Sequence, residues 1–225
     1  MNQVYILHLE SATKVCSVAL SRDGKLCQLK EYEGDGYTHG ENLTCFIEEV
    51  LEKEGIRATD LAAVAVSSGP GSYTGLRIGT SVAKGICYAV GAKLIAINSL
   101  EVIANLARKK YPKSFIVPMI DARRMEVYTS VFDPGGTCIQ NVEAFEMKED
   151  SFIDLNPMTC CGDGAEKLKS IWSEDRWGSI DSKILSSAEG LVTLSFEKYQ
   201  KGQFEDVAYF EPFYLKDFVV KKKQK

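Results

Sequence analysis

The sequence predicts an α/β fold of two packed lobes, each a β-sheet flanked by helices, and three observations carry that prediction. Short apolar runs of strand length alternate with segments of helical spacing along most of the chain. The second half opens as the first does: a strand, an acidic residue, a short polar turn, a second strand, then a tight turn. No stretch rich in Gly, Pro or Ser divides the halves, so residues 105–113 read as a hinge between packed lobes, 1–105 and 106–225. The length, 225 residues, suits one large domain or two small ones at about 150 residues each.

Taken in order, residues 4–9 (VYILHL) are nearly all apolar, as in a strand buried on both faces, and stop at the polar turn Glu10-Ser11-Ala12-Thr13. Residues 15–20 resume as a strand, Asp23-Gly24 is a hairpin signal, and residues 26–32 complete a meander. From Thr38 the spacing turns helical, with Leu43, Ile47, Val50 and Leu51 on one face and Glu48, Glu49, Glu52 and Lys53 on the other, as far as Gly55. Residues 61–66 form a strand that runs into Ser67-Ser68-Gly69-Pro70-Gly71-Ser72-Tyr73-Thr74-Gly75; a buried helix, 76–90, follows and closes at Gly91. Residues 93–97 add a strand and Ser99 opens a helix to about Lys110.

The second half is predicted as strands 115–120, ending in Asp121, and 126–132, then a turn at Asp133-Pro134-Gly135-Gly136. Strands 139–147 and 158–161 follow, the latter before Gly162-Asp163-Gly164, then helices 165–172 and 188–200. Glu10 and Asp121 hold matching places in the two openings, although two unrelated hairpins would share much of this pattern.

Charge and cysteine usage exclude several classes. Residues 1–105 carry nine basic and twelve acidic side chains and the remainder 18 and 19, so neither half is a basic nucleic-acid module. Any contact with nucleic acid is then expected to be shared with a partner. Lys221, Lys222, Lys223 and Lys225 read either as a solvated end or as a phosphate-contacting tail. Seven cysteines without C-x-x-C spacing suit reduced thiols and a cytoplasmic location. No leader or apolar run of about 18 residues is present, so no membrane association is expected.

Residues 69–75 invite a phosphate-binding reading, but a P-loop needs Lys-Ser/Thr where Leu76-Arg77 stands, and the dinucleotide fingerprint needs glycine at Thr74. Tight-turn geometry and an undirected anion site remain as alternatives. Gly75, Gly79 and Ala83 recur every four residues, a ridge of small side chains that lets another backbone approach, within the lobe or between subunits. His8 and His39 are the only histidines, which excludes a His-rich metal site, and no G-x-S-x-G elbow presents a serine. Glu10 and Asp121 could face each other across a cleft and hold Mg²⁺ with a nucleotide phosphate, or simply cap their turns.

The segments ILHLESATKVCSVAL, THGENLTCFIEEVL, SSGPGSYTGLRIGTSVAKGI, MIDARRMEVYTSVF, GDGA and EPFYLK together resemble the TsaB (YeaZ) family, from Tyr5 to Lys216. The most specific pieces are GPGSYTGLRIG and DARRMEVY. That family is a subunit of the bacterial apparatus that makes N6-threonylcarbamoyladenosine at adenosine 37 of tRNA. The resemblance implies an ASKHA fold (actin-like ATPase, ribonuclease H-like) and a noncatalytic scaffold that stabilises and positions TsaD. The H-x-x-x-H metal pair of TsaD falls at Ser99 and Ile103, neither of which replaces an imidazole, so the older glycoprotease label finds no ligands here.

By the same resemblance the partners are TsaD as a heterodimer, TsaE in the larger complex and tRNA through the complex, with a homodimer when the chain is alone. The expected interface lies on helices 38–53 and 74–90: Leu43, Ile47, Tyr73, Thr74, Gly75, Leu76, Gly79, Val82, Ala83 and Ile86. No metal or cofactor is expected of the chain alone, with ATP or ADP and Mg at the complex interface. The rival reading is an ASKHA phosphotransferase or ATPase holding Mg-nucleotide with Glu10, Ser11, Thr13, Asp121, Arg123, Gly162 and Asp163. Glu10 departs from the Asp-Thr/Ser usual in the family's opening motif, and about 115 residues is short for a nucleotide-clasping lobe.

Overall fold

A computed structural model of the chain describes residues 3–34 and 39–216; Thr38 and the lysine tail lie outside them. In chain order the elements are β1 (Tyr5–Glu10), β2 (Val15–Arg22), β3 (Lys25–Glu33), α1 (His39–Glu54), β4 (Leu61–Ser67), α2 (Tyr73–Val90), β5 (Lys93–Ile97) and α3 (Ser99–Lys110). The second half holds β6 (Phe115–Asp121), β7 (Glu126–Phe132), β8 (Cys138–Glu146), β9 (Met158–Cys161), β10 (Ile180–Asp181) and α4 (Leu191–Gln200).

The strands form two five-stranded sheets, ordered β3-β2-β1-β4-β5 and β8-β7-β6-β9-β10. The second order is the first with each strand advanced by five. Directions repeat too: β1 and β6 each pair antiparallel with the next strand and parallel with the strand three further on. Resemblance between two hairpins would account for two strands. A five-strand order repeated with its directions is a duplicated sheet, and the two-lobed ASKHA-type architecture expected above is what the chain adopts.

Strands buried on both faces explain the unbroken apolar runs. On one face of the first sheet Leu7, Leu9, Val18, Val64 and Val66 pack against Leu43, Ile47 and Val50 of α1 and Ala83 and Cys87 of α2. On the other, Ile6, Ala63, Ala65, Ile95 and Ile97 pack against Leu191 and Val192 of α4. The second sheet buries Val117, Met119 and Val127 against Leu168 and Trp172. Its opposite face packs Ile116, Ile120 and Phe132 on Leu100, Ile103, Ala104 and Ala107 of α3. Helix α3 thus follows the first sheet in sequence yet covers the second, whereas α4 follows the second and covers the first.

Residues 98–114 between the sheets are largely α3, which runs through position 105. Asn105 Nδ2 donates to the Gly190 carbonyl and the Thr193 hydroxyl, each at 2.9 Å, and Lys110 pairs with Asp181 at 2.6 Å. Two expected helices differ: 165–172 is a 3₁₀ segment, Ala165–Ser170, and 188–200 begins as 3₁₀ at Ala188–Gly190 before α4. Strand β10 is two residues long, too short to leave a pattern.

Candidate functional site

The ends of β1 and β6 carry the same device. Each acidic residue closes its strand, four residues separate that strand from the next, and the carboxylate accepts the backbone N–H two residues on. Glu10 Oε1 receives Ala12 N–H at 2.7 Å, and Asp121 Oδ1 receives Arg123 N–H at 2.6 Å. The turns thereby supply a local partner for one main-chain donor each.

Their surroundings differ. Glu10 is fully buried; its second oxygen accepts the Ser67 hydroxyl, and Ser186 lies beside it. Burial pushes its carboxyl above the usual range, against the pull of those hydrogen bonds. Ser11 is buried as well, and Thr13 nearly so, with Oγ1 accepting Val15 N–H at 3.3 Å. Asp121 is exposed and paired with Lys167 at 2.6 Å. Asp163 accepts Asp121 N–H at 3.0 Å, and burial pushes its carboxyl up. Gly162 sits at φ 96°, where a Cβ would strike the Met119 carbonyl oxygen.

The two turns stand as half-sites at the ends of β1 and β6. They form no cradle for Mg-nucleotide. Both oxygens of Glu10 are spent inside the lobe, and the first turn is roofed by residues 69–72, with Ser72 N–H donating to the Ala12 carbonyl at 2.7 Å. A Cβ at Gly71 would strike the same carbonyl. Among the described residues no group of three or more His, Cys, Asp or Glu side chains is arranged to hold a metal ion.

The glycine loop is a packing device. Ser72 caps α2, its hydroxyl accepting Gly75 N–H at 3.2 Å, and the chain's own C-terminal segment covers the loop from outside. Phe213 N–H donates to the Ser68 carbonyl at 2.7 Å, and the Phe213 carbonyl lies where a Gly69 Cβ would be. Tyr214 packs on Tyr73, whose ring also lies under Arg77, and Lys84 Nζ donates to the carbonyls of Ala208 and Phe210 at 3.1 and 3.0 Å. The segment bridges the lobes, because Lys216 pairs with Glu126 at 2.6 Å. Sequence reasoning missed this strap; its one sequence signal was EPFYLK.

The small-residue ridge of α2 faces inward. Gly75, Gly79 and Ala83 are buried, Ser11 Oγ donates to the Gly75 carbonyl at 2.8 Å, and a Cβ at Gly79 would run into the Ser11 hydroxyl. The close approach inferred from the spacing is therefore met inside the chain. Leu76 is fully buried, Leu43 and Ile47 are core residues, and Val82 and Ile86 pack partly against the same core. Enlarging Gly79 would strain the lobe itself. What α2 turns outward is Thr74, Arg77, Ser81, Gly85, Tyr88 and Ala89; Tyr88 is 88% exposed, and nothing lies within 4 Å of a Cβ built at Gly85. A cavity of about 500 Å³ lies between this face and the strap, lined by Lys84, Gly85, Tyr88, Asp206, Val207 and Ala208.

Ser99 and Ile103 are both fully buried. Ser99 Oγ accepts Gly69 N–H at 3.1 Å, and Ile103 belongs to the core between α3 and the second sheet. No helix of the described residues is long and apolar enough to cross a membrane.

Residues 36–158 match the protein family described as TsaD: tRNA N6-adenosine threonylcarbamoyltransferase. Over 97% of both chains the sequence is 28% identical to the tRNA threonylcarbamoyladenosine biosynthesis protein TsaB of Escherichia coli (strain K12). It is 41% identical over 73 residues to the protein of that name from Bacillus subtilis (strain 168), which covers 32% of this chain and 31% of that one. The tRNA N6-adenosine threonylcarbamoyltransferase of Geotalea uraniireducens (strain Rf4) is 26% identical over 55% of this chain and 41% of its own. Among solved structures, YeaZ from Pseudomonas aeruginosa superposes with a TM-score of 0.79 over 94% of this chain and 100% of that one, at 22% identity, a likeness of fold.

Proposed function

The chain belongs to the family described as TsaD: tRNA N6-adenosine threonylcarbamoyltransferase, and within it to the TsaB (YeaZ) branch; from that premise we propose that it is the noncatalytic subunit that stabilises and positions TsaD in tRNA threonylcarbamoyladenosine synthesis. The observation that carries the noncatalytic part is the fate of the two metal-pair positions. Ser99 holds the glycine loop and Ile103 fills a core, so each is committed to the fold and neither offers a ligand.

The partner surface in this reading is the outer face of α2, around Thr74, Arg77, Ser81, Gly85 and Tyr88, with the neighbouring face of α1. An exposed tyrosine beside an unencumbered glycine gives an anchor and room for a helix to approach. In this reading ATP or ADP with Mg sits at the joint with the partner, since both Glu10 oxygens are already taken within the lobe. TsaE and tRNA join through the complex, and the same helical face serves a homodimer in the absence of TsaD.

The test is light scattering on the chain mixed with TsaD of the same source, beside a Tyr88→Glu/Arg77→Glu variant. A one-to-one complex is expected, lost in the variant while its thermal unfolding stays unchanged. Failure of the unmodified chain to bind TsaD would overturn the assignment.

A further inference from the structure

The β6–β7 turn is the second copy of the β1–β2 turn, and the copies have been put to different uses. In the first, the residues two and three past the acid are Ala12 and Thr13, tucked under the glycine loop. In the second they are Arg123 and Arg124, both exposed. Their backbones have φ of 71° and 50°, whereas neither Ala12 nor Thr13 has a positive φ. Two consecutive side-chain-bearing residues in a region that favours glycine is an unfavourable arrangement that the turn's ancestry does not require.

Charge around the turn is arranged in the same sense. Asp121 is taken by Lys167 and Glu126 by Lys216, each at 2.6 Å. The acids that flank the arginines are thus neutralised by other residues, and neither guanidinium has a side-chain partner among the described residues. Two unpaired cations therefore project together from a chain whose net charge is −4. The turn is an exposed hairpin tip, and neither arginine lines either of the two described cavities, so it suits an extended ligand outside the protein. Planar guanidinium forks match phosphate oxygens in pairs.

We propose that Arg123 and Arg124 form a phosphate-contacting tip for the backbone of an RNA, which places part of the tRNA grip of the complex on this subunit. The inference rests on the functional reading above. Its test is tRNA binding by the complex with TsaD, followed by fluorescence anisotropy over a range of salt, for the unmodified chain, Arg123→Gly/Arg124→Gly and Arg123→Lys/Arg124→Lys. The glycine variant relieves the backbone and removes the charge together. A higher melting temperature, unchanged TsaD binding and a slope of log K against log salt shallower by about one to two are expected. The lysine variant is expected to keep most of the slope. An unchanged slope in the glycine variant, with unmodified complex binding tRNA normally, would overturn this proposal alone. Displacement of the tRNA by millimolar ATP in the unmodified complex, absent from the glycine variant, would mean the arginines serve a mononucleotide and would overturn it too. Failure of the unmodified complex to assemble or to bind tRNA would overturn the functional reading with it.

Discussion

The Ser11 hydroxyl donates to the Gly75 carbonyl at 2.8 Å and occupies the space a side chain at Gly79 would need. One hydroxyl thus locks the first turn of α2 to the β1–β2 turn and dictates a glycine one helical turn later.

Replacing Gly79 by alanine sets two effects against each other. Helix propensity favours alanine by about 1 kcal/mol, whereas overpacking against a fixed neighbour costs about 1–3 kcal/mol. Net destabilisation is expected in urea unfolding. Ser11→Gly in the same chain removes the obstacle, so the double variant is expected to show a coupling above about 0.5 kcal/mol; strict additivity would count against the contact.

His8 predicts an acid-side loss of stability. Its ring is buried between Ser21 Oγ at 2.8 Å and Ser195 Oγ at 3.3 Å, and burial pushes its pKa from 6.5 down to about 3. The unfolded chain takes up a proton near pH 6.5 and the folded one only near 3. Stability attributable to His8 therefore falls as pH drops through that window, by up to about 1.4 kcal/mol per pH unit. Glu10 acts in the opposite sense, since its raised pKa favours the folded state on the acid side. Denaturant midpoints of the unmodified chain and His8→Gln, compared between pH 7 and 4.5, isolate the histidine: the difference in stability should shrink steadily with acid.

The cysteines should divide by accessibility. Cys16, Cys87, Cys160 and Cys161 are buried, and burial pushes the first three thiols to about 11, 11 and 12. Cys45 and Cys138 are exposed. Brief maleimide treatment followed by peptide mass spectrometry is expected to mark Cys45 and Cys138 quickly, Cys27 more slowly and the four buried thiols only in denaturant.

Lys84 holds two strap carbonyls with one ammonium. Lys84→Met keeps the stem and removes the donors, and about 1–3 kcal/mol of local stability should go with them. Hydrogen exchange is expected to quicken around residues 205–214 while the amides of β1 and β4 stay protected.

The strands and helices of the first half were readable because β1, β2, β4 and β5 are buried along nearly their whole length and each helix buries one stripe, and burial leaves a pattern in the sequence. Lys93–Ile97 and Ser99–Lys110 fall where the pattern put them. Helix α2 starts three residues earlier than expected, since Tyr73-Thr74-Gly75 reads as turn until the Ser72 cap is seen. Spacing showed that Gly75, Gly79 and Ala83 needed a close neighbour; it could not show that the neighbour was Ser11, a partner fixed only by tertiary packing. The same holds for Glu10, whose Ser67 partner stands on a parallel strand, and for the strap. An amphipathic pattern marks which residues are buried and is silent on which sheet buries them, hence the exchange of α3 and α4.

That exchange has a consequence for biosynthesis. The first sheet obtains the cover for its Ile6, Ala63, Ala65 and Ile97 face only when residues 191–200 have left the ribosome, although its last strand is finished at Ile97. Until then an apolar surface waits on a nascent chain about a hundred residues short. A gene split at position 105 would cut α3 and give a first fragment without α4 and a second without Leu100, Ile103 and Ala104 of α3, the cover that each sheet needs from the other fragment. Complementation of such fragments, rather than independent folding of either, is the behaviour this weave imposes.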